Sequence, residues 1–451
     1  MISFASSGES KSGGGGNVFL FIPPDCHHKK ITQVECGIKL TQSHKFAVNS
    51  SWVNSYAGGI GIANMLLRKL NGAHITVIEP RDFHWYQPGQ TLLLAGSYNS
   101  KNDVVTPLDR YVDSQINWKR GSVVEFQPDM NTVITDGGEK VAYDYLIVST
   151  GIELRYDLIE GMDTDLIRKG GIASIYYSPE AGLASYKQAR QFVDNPGNGQ
   201  AVFTRPVGSM KCAGAPMKAT NLVEYFAAQS GRRNEFTFNY YTSENSLFAV
   251  EVFNDKLKEI WKKRQIEPNY EQVLTAIDSS NKSAVFTQSD GSSQRINWDF
   301  IHVVPPMTPP KVIRDSALAD NKDFHGYLDV DNFTMQHNHY PNVFGIGDCV
   351  GTPIGKTAAS VKSQLPVVAV NLCSLIKGQS LTAKWDGYTS CPMILDVGHA
   401  MLWEFNYALQ PVTALPFEVV DPLDESVIAW RFEETLLRPV YDVMLKGYTP
   451  I

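Results

Sequence analysis

The chain lacks an excess of basic residues, a cysteine framework and an uninterrupted apolar run of membrane-spanning length. Each shortage excludes a class of function. Lys and Arg number 40 against 47 Asp and Glu, a net charge of -7, so no basic face is expected to meet nucleic acid. The six cysteines (Cys26, Cys36, Cys212, Cys349, Cys373, Cys391) are too few and too scattered for a secreted disulfide scaffold. No CxxC pair occurs, and Cys26-His27-His28 alone is a weak signal, so no metal centre is expected. The absence of about 18 consecutive apolar residues argues against a spanning helix. The N-terminus has neither a compact apolar signal core nor an Arg-rich amphipathic targeting helix. Rich in Ser and Gly, with Gly13 to Gly16 in a row, residues 1–44 read as a disordered or atypical leader.

What is present follows an α/β pattern. The 43% hydrophobic content can fill the cores of two or three interleaved domains. Ala57-Gly58-Gly59-Ile60-Gly61 opens an amphipathic helical run, and Ile75-Thr76-Val77-Ile78 is a strand ending at Glu79. A carboxylate about 20 residues past the last glycine suits the ribose hydroxyls of a dinucleotide, with its pyrophosphate at the helix N-terminus. Phe46-Ala47-Val48 starts like the preceding buried strand, but Asn49 to Asn54 is too polar to continue it. Placing the last glycine of the fingerprint on Gly59 puts Asn54 and Tyr56 where the first two glycines belong. A tyrosine there should obstruct the pyrophosphate. Either the segment takes another path, or the residues upstream of Ala57 are not the native ones.

Three later pieces support a flavoprotein. Tyr143 to Gly151 is a buried strand ending in Thr-Gly, and Asn342 to Asp348 is another ending in Gly-Asp. Lys356-Thr357-Ala358-Ala359 then begins a helix whose positive end can face a reduced flavin. Between them a second dinucleotide-like unit is expected, with strands at Gln200–Phe203 and Phe236–Tyr240 and helices at Ala215–Ser230 and Asp255–Lys263. Val303 to Pro310 is a proline-rich, extended crossover. Where this unit should carry a second glycine-rich loop for NAD(P)H stands Lys211-Cys212-Ala213-Gly214-Ala215-Pro216. A thiol where a hydride donor should dock implies that electrons enter through sulfur. Lys211 and Lys218 are near enough in sequence to favour an anionic sulfur.

Toward the C-terminus, Trp385 to Pro392 reads as a turn-rich loop carrying Cys391. Leu436, Leu437, Val440, Tyr441, Met444 and Leu445 form one apolar helical stripe flanked by Arg438 and Lys446. Such a stripe either packs on the core or lies in a membrane interface. Cys349 and Cys373 read as small buried hydrophobes, and His84, His337 and His339 as structural or surface residues.

Taken in order, these stretches resemble the sulfide:quinone oxidoreductases of the two-cysteine, mitochondrial kind. The resemblance runs from about Ala57 to Tyr448. It rests on Glu79-Pro80 with His84-Trp85-Tyr86-Gln87-Pro88, Lys211 to Pro216, Pro305-Pro306-Met307, Tyr340 to Cys349, and Asp386 to Pro392. It implies two interleaved Rossmann-like domains of the FAD/NAD(P)-binding flavoprotein fold plus a C-terminal amphipathic, membrane-associating segment. Residues 45–160 and 311–384 would bind FAD, 161–310 would carry the first redox cysteine, and 385–451 the second. The resemblance makes Cys212 and Cys391 the redox pair. It puts Ala57, Gly58 and Gly59 at the pyrophosphate, Glu79 at the ribose, and Gln87, Val123, Gly151, Asp348 and Lys356 around the rest of a non-covalent FAD. Hydrosulfide would open the Cys212–Cys391 disulfide, leaving a persulfide on either cysteine. Electrons would pass by way of FAD to ubiquinone, and glutathione, sulfite or cyanide would take the outer sulfur. The implied location is the mitochondrial inner membrane, with peripheral contact through the C-terminal helix. Two alternatives remain: a type II NADH:quinone oxidoreductase, or a non-catalytic relative that lost FAD through the damaged first loop.

Overall fold

The structure, a computed structural model, describes residues 38–39, 44–49, 56–195, 197–413 and 420–448. Nearly all of the leader, Cys26-His27-His28, Asn54 and the side chain of Tyr56 lie outside the described residues.

Two five-stranded parallel sheets organise the chain. The first runs Val343–Gly345, Tyr145–Val148, Lys45–Asn49, His74–Ile78, Asn117–Lys119. The second runs Ile172–Ala173, Phe300–His302, Gly199–Arg205, Phe236–Thr242, Ile266–Asn269. Their central strands have apolar middles because both faces of a parallel sheet are covered: Leu146, Ile147 and Val148 in one, Ala201, Val202 and Phe203 in the other, are all buried. Each sheet reverses its strand order beside its first long strand, leaving a crevice at the strand C-termini where a ligand can enter. Each half also has a three-stranded antiparallel sheet, Val123–Gln127 with Thr132–Thr135 and Lys140–Ala142, and Val273–Asp278 with Ser283–Thr287 and Ser293–Asn297. The halves are interleaved. The chain leaves the first sheet after Val148 and returns at Val343, crossing by an antiparallel pair of Glu153–Leu154 with Met307–Thr308. The proline-rich stretch is therefore one arm of the crossover.

The first-sheet helix, Tyr56–Lys69, is buried from Ala57 to Leu66 rather than amphipathic. It is covered by the Ala358–Ile376 helix and the C-terminal helix as well as the sheet. Among the described residues, Ala358–Ile376 is the one helix with the length and hydropathy of a membrane span. It packs on the first-sheet helix, and Leu365, Val368 and Leu372 are wholly buried.

The Trp385–Pro392 expectation needs correction. Thr389–Asp396 is a strand paired antiparallel with His399–Phe405, with Cys391 opposite Trp403. Polar Thr389 and Ser390 and the proline at 392 disguise it locally. Its burial comes from packing on the Ala215–Gln229 helix and from Trp403 stacking on Phe253 at 4.8 Å.

The C-terminal stripe divides. In Leu437–Leu445, Tyr441, Met444 and Leu445 face the core, and Leu436 just before it is exposed. The inward face is fixed by polar contacts. The Asn64 amide donates to the Leu445 carbonyl (2.7 Å), the Tyr111 hydroxyl donates to Asp442 (2.8 Å), and His84 Nε2 meets the Tyr441 hydroxyl at 2.8 Å. His84 thus has a structural place, as expected.

Candidate active site

Cys212 lies between the Gly199–Arg205 strand and the Ala215–Gln229 helix, in the crevice of the second sheet. Its φ is +46°, the left-handed region that a side chain rarely adopts. Contacts from three directions hold it there. The Cys212 N–H donates to the Lys356 carbonyl (2.9 Å), and the Tyr176 hydroxyl donates to the Cys212 carbonyl (2.9 Å). The neighbouring Lys211 N–H donates to Met307 Sδ (3.4 Å). Four stretches far apart in sequence, 211–216, 305–307, 356 and 391, therefore converge.

Cys391 reaches the same point from the hairpin. A Cβ on Gly214 would stand 2.2 Å from Cys391 Sγ, so that sulfur occupies the space a side chain at 214 would need. The two thiols are free and hydrogen bonded to each other. That bond from Cys391 holds the Cys212 thiol below its ordinary pKa, helped by the Lys218 ammonium and the Ala215 N–H and opposed by burial. The same bond, with burial, pushes Cys391 well up. The reduced pair is thus a Cys212 thiolate accepting from a Cys391 thiol.

The two lysines differ. Burial lowers Lys211 to about 7 despite Asp348 and Cys212. For Lys218 burial is outweighed by Cys212, Glu433 and Cys391, so it stays charged. Glu433, on a π-helical turn at Phe432–Leu436, pairs with Lys218 at 3.8 Å, both side chains buried. Gly214, Tyr176 and Glu433 belong to the site in addition to the residues expected there. Gly214 carried a readable signal as the last residue before a helix; Tyr176 and Glu433 carried none.

The first crevice fits a dinucleotide. A Cβ on Gly58 would meet Ser149 Oγ at 2.6 Å and Ile346 Cγ2 at 2.7 Å, so the N-terminal turn containing Ala57, Gly58 and Gly59 is pressed against the ends of two strands. Such a turn can offer backbone N–H groups to a phosphate. Glu79, wholly buried, ends the adjacent strand and accepts from the Arg81 N–H (2.9 Å). Gly151 and Gly347 take positive φ (+76° and +84°), and Asp348 follows, buried, its carboxyl pushed up by that burial. Lys356 donates from Nζ to the Asp348 and Val350 carbonyls (both 2.9 Å); burial lowers it to about 8. Thr357 caps the Ala358–Ile376 helix through the Ser360 N–H (3.2 Å), beside the carbonyl that holds Cys212. Gln87 is half-buried ahead of the Gly89–Ala95 helix, and Val123 is buried at the start of its strand.

No family model matches the chain. It is 35% identical over 395 residues to the mitochondrial sulfide:quinone oxidoreductase of Mus musculus, covering 87% of this chain and 85% of that one. The mitochondrial sulfide:quinone oxidoreductase of Dictyostelium discoideum is 35% identical over 399 residues, covering 88% and 85%. Among solved structures, the sulfide:quinone oxidoreductase of the hyperthermophilic bacterium Aquifex aeolicus aligns with a TM-score of 0.73 at 19% identity, over 90% of this chain and 92% of that one, a likeness of fold.

Proposed function

The chain belongs to the sulfide:quinone oxidoreductase family, and from that premise we propose that it oxidises hydrogen sulfide at Cys212 and Cys391 and reduces ubiquinone by way of FAD. The observation that carries this reading is the meeting of two free cysteines at the crevice of the second sheet, Cys391 Sγ filling the space beside Gly214 and the Cys212 N–H tied to Lys356 at the edge of the first.

In the oxidised enzyme the two sulfurs form a disulfide. Hydrosulfide attacks Cys391 Sγ, the bond to Cys212 breaks, and Cys391 is left as a persulfide with the electron pair on the Cys212 thiolate. This direction follows from leaving-group acidity. The sulfur with the lower pKa leaves faster, and Cys391, the Lys218 ammonium and the Ala215 N–H favour the anion at Cys212. FAD, when bound, supplies a two-electron acceptor that a quinone can reoxidise. Ala57, Gly58 and Gly59 would hold its pyrophosphate, Glu79 its ribose, and Gln87, Val123, Gly151, Asp348 and Lys356 the remainder. A nucleophile such as glutathione, sulfite or cyanide takes the outer sulfur of the persulfide and leaves Cys391 reduced; the disulfide re-forms with Cys212 as the pair gives up two electrons, for which the bound FAD would be the acceptor. Residues 45–160 with 311–384 serve as the FAD unit, 161–310 as the unit carrying Cys212, and 385–451 as the unit carrying Cys391. The relatives' names support a mitochondrial location. Peripheral contact with the inner membrane would use the outward apolar residues Val427, Ile428, Leu436 and Val443, all exposed.

The test is the visible spectrum of the purified chain under anaerobic conditions. Yellow protein should bleach with sulfide and recover its colour with a quinone, and Cys212→Ser or Cys391→Ser should not bleach. Bleaching by NADH in place of sulfide, or by sulfide in both serine variants, would overturn the reading.

A further inference from the structure

Glu433 stands where no side chain of the proposed reaction requires a carboxylate. It is 1% exposed, and its Oε2 has no hydrogen-bond partner among the described residues. Its Oε1 lies 3.8 Å from Lys218 Nζ, an ion pair longer than a hydrogen bond. The turn that carries it is π-helical, set between Val427–Arg431 and Leu437–Leu445. Such a turn places a residue off the ordinary helical face and is frequent at functional sites. A buried acceptor left half-satisfied is costly, and here it is paired with the lysine on which the Cys212 anion also acts. Cys212 and Lys218 act on Glu433, and Glu433 in turn acts on Cys391, Tyr86 and Tyr98. On the same helical segment, Arg431, Glu434 and Arg438 are the charged neighbours; Arg431 is joined to Glu434 at 2.7 Å and Arg438 to Asp442 at 3.0 Å.

The charge balance changes with the redox state. In the disulfide state Lys218 and Glu433 form a neutral pair. In the dithiol state the Cys212 thiolate adds a second negative charge around one ammonium. Lys218 cannot absorb the change, because it is already protonated. Cys391 already holds its own proton. Two acceptors remain, Lys211, lowered to about 7 by burial, and the free oxygen of Glu433, and it is Glu433 that shares the Lys218 ammonium with the thiolate.

We propose that Glu433 is the proton acceptor coupled to the Cys212/Cys391 pair, taking up one proton when the disulfide opens and releasing it when the disulfide re-forms. This rests on the preceding reading of the pair. Dihydrogen sulfide gives one proton to the Glu433 carboxylate and attacks Cys391 as the hydrosulfide of the preceding reading; the Cys212–Cys391 bond breaks and the S–S bond of the persulfide forms. The other proton of the substrate stays on the persulfide. The electron pair rests on Cys212. The total charge of the site is unchanged, so the buried centre gains no net charge during the step. Burial and the Cys212 anion both raise the Glu433 pKa, and Lys218 opposes them, the direction an acceptor needs.

The experiment equilibrates the full-length, flavin-loaded chain anaerobically with reduced and oxidised dithiothreitol between pH 6.5 and 7.5. Alkylation and mass spectrometry count the thiols at 212 and 391. Over this range the small dithiol keeps both protons, since free thiols titrate near about 8.5. In wild type, reduction places one proton on Cys391 and one on Glu433, so the dithiol-to-disulfide ratio should not change with pH. In Glu433→Gln one proton is released, and the ratio should rise about tenfold per pH unit. Glu433→Asp should restore the flat profile. Equal slopes in wild type and Glu433→Gln, a tenfold slope in wild type, or a flat wild-type profile that turns steep in Lys211→Met would overturn the proposal, and the last two decide it should Glu433→Gln fail to fold. Sulfide bleaching of the flavin, recorded on the same wild-type sample, separates the two claims. Its absence counts against the sulfide reading, whereas a steep wild-type slope with bleaching intact counts only against Glu433.

Discussion

The two parallel sheets share the order of four strands and a crevice, yet they admit different guests. In the first, Gly58 lets a helix turn press against Ser149 and Ile346, leaving its N–H groups for a phosphate. In the second, Gly214 also begins a helix after the first long strand, and the space released by its missing side chain holds the sulfur of Cys391. One topology therefore serves a dinucleotide in one half and a part of the chain itself in the other. A switch-point crevice is a place to dock something, and the chain can supply that something from nearly two hundred residues away.

Exchanging the two glycines separates the crevices. In Gly214→Ala the added carbon falls on Cys391 Sγ and must displace it, so the rate of flavin bleaching by sulfide should drop about 100-fold with flavin content unchanged, the effect of misplacing a reacting atom by about 1 Å. Gly58→Ala should do the reverse. Flavin content falls, stability drops by about 1–3 kcal/mol through overpacking, and the alkylation rate of Cys212 stays at the wild-type value. Stopped-flow absorbance and thermal melting distinguish the two. Loss of flavin in Gly214→Ala would break the comparison.

A smaller effect tests whether the halves respond alike to acid. Each holds a buried histidine, His84 beside Tyr441 and His302 accepting from the Ile175 N–H at 3.3 Å. Burial lowers each to about 3. Between the unfolded value near 6.5 and that folded value, the unfolded chain binds more protons. Stability should therefore fall as pH drops through this window, by about 1.4 kcal/mol per pH unit for each histidine. Urea melts at several pH values should show His84→Gln and His302→Gln each removing one such increment.

The smallest effect on the fold is expected outside both crevices. Ile428 is 58% exposed, so Ile428→Ser should change stability by no more than about 0.5 kcal/mol. Its co-sedimentation with lipid vesicles should nevertheless weaken by about tenfold, given the worth of one apolar side chain leaving water. Unchanged vesicle binding would remove this face from the membrane reading.

The fold was legible where local pattern and burial agree. Leu146-Ile147-Val148 and Ala201-Val202-Phe203 are apolar because a parallel sheet is covered on both faces, and the Ala215 helix follows them as the pattern requires. Cys212 stood out because its loop replaced a glycine-rich one. The strand of Cys391 was not legible, since its neighbours Ser390 and Pro392 are turn formers and only Trp403 and the Ala215–Gln229 helix make it interior. Glu433 was hidden for a related reason. Inside Phe432-Glu433-Glu434-Thr435 it looks like one of two surface acids, and the π-helical turn sends it inward. The C-terminal stripe is a single face in the sequence, but its core half is set by Asn64, Tyr111 and His84, from the other end of the chain.

The left-handed backbone at Cys212 gives the residue a peculiar place in the protein's tolerance of change. A glycine would adopt that conformation without the strain, which is of order 1–3 kcal/mol for other residues, but it would bring no sulfur. Selection for folding and selection for reactivity thus pull in opposite directions at a single atom. Drift that relaxed the chain here would yield a sturdier protein that had lost its chemistry, with nothing in its expression or solubility to betray the loss.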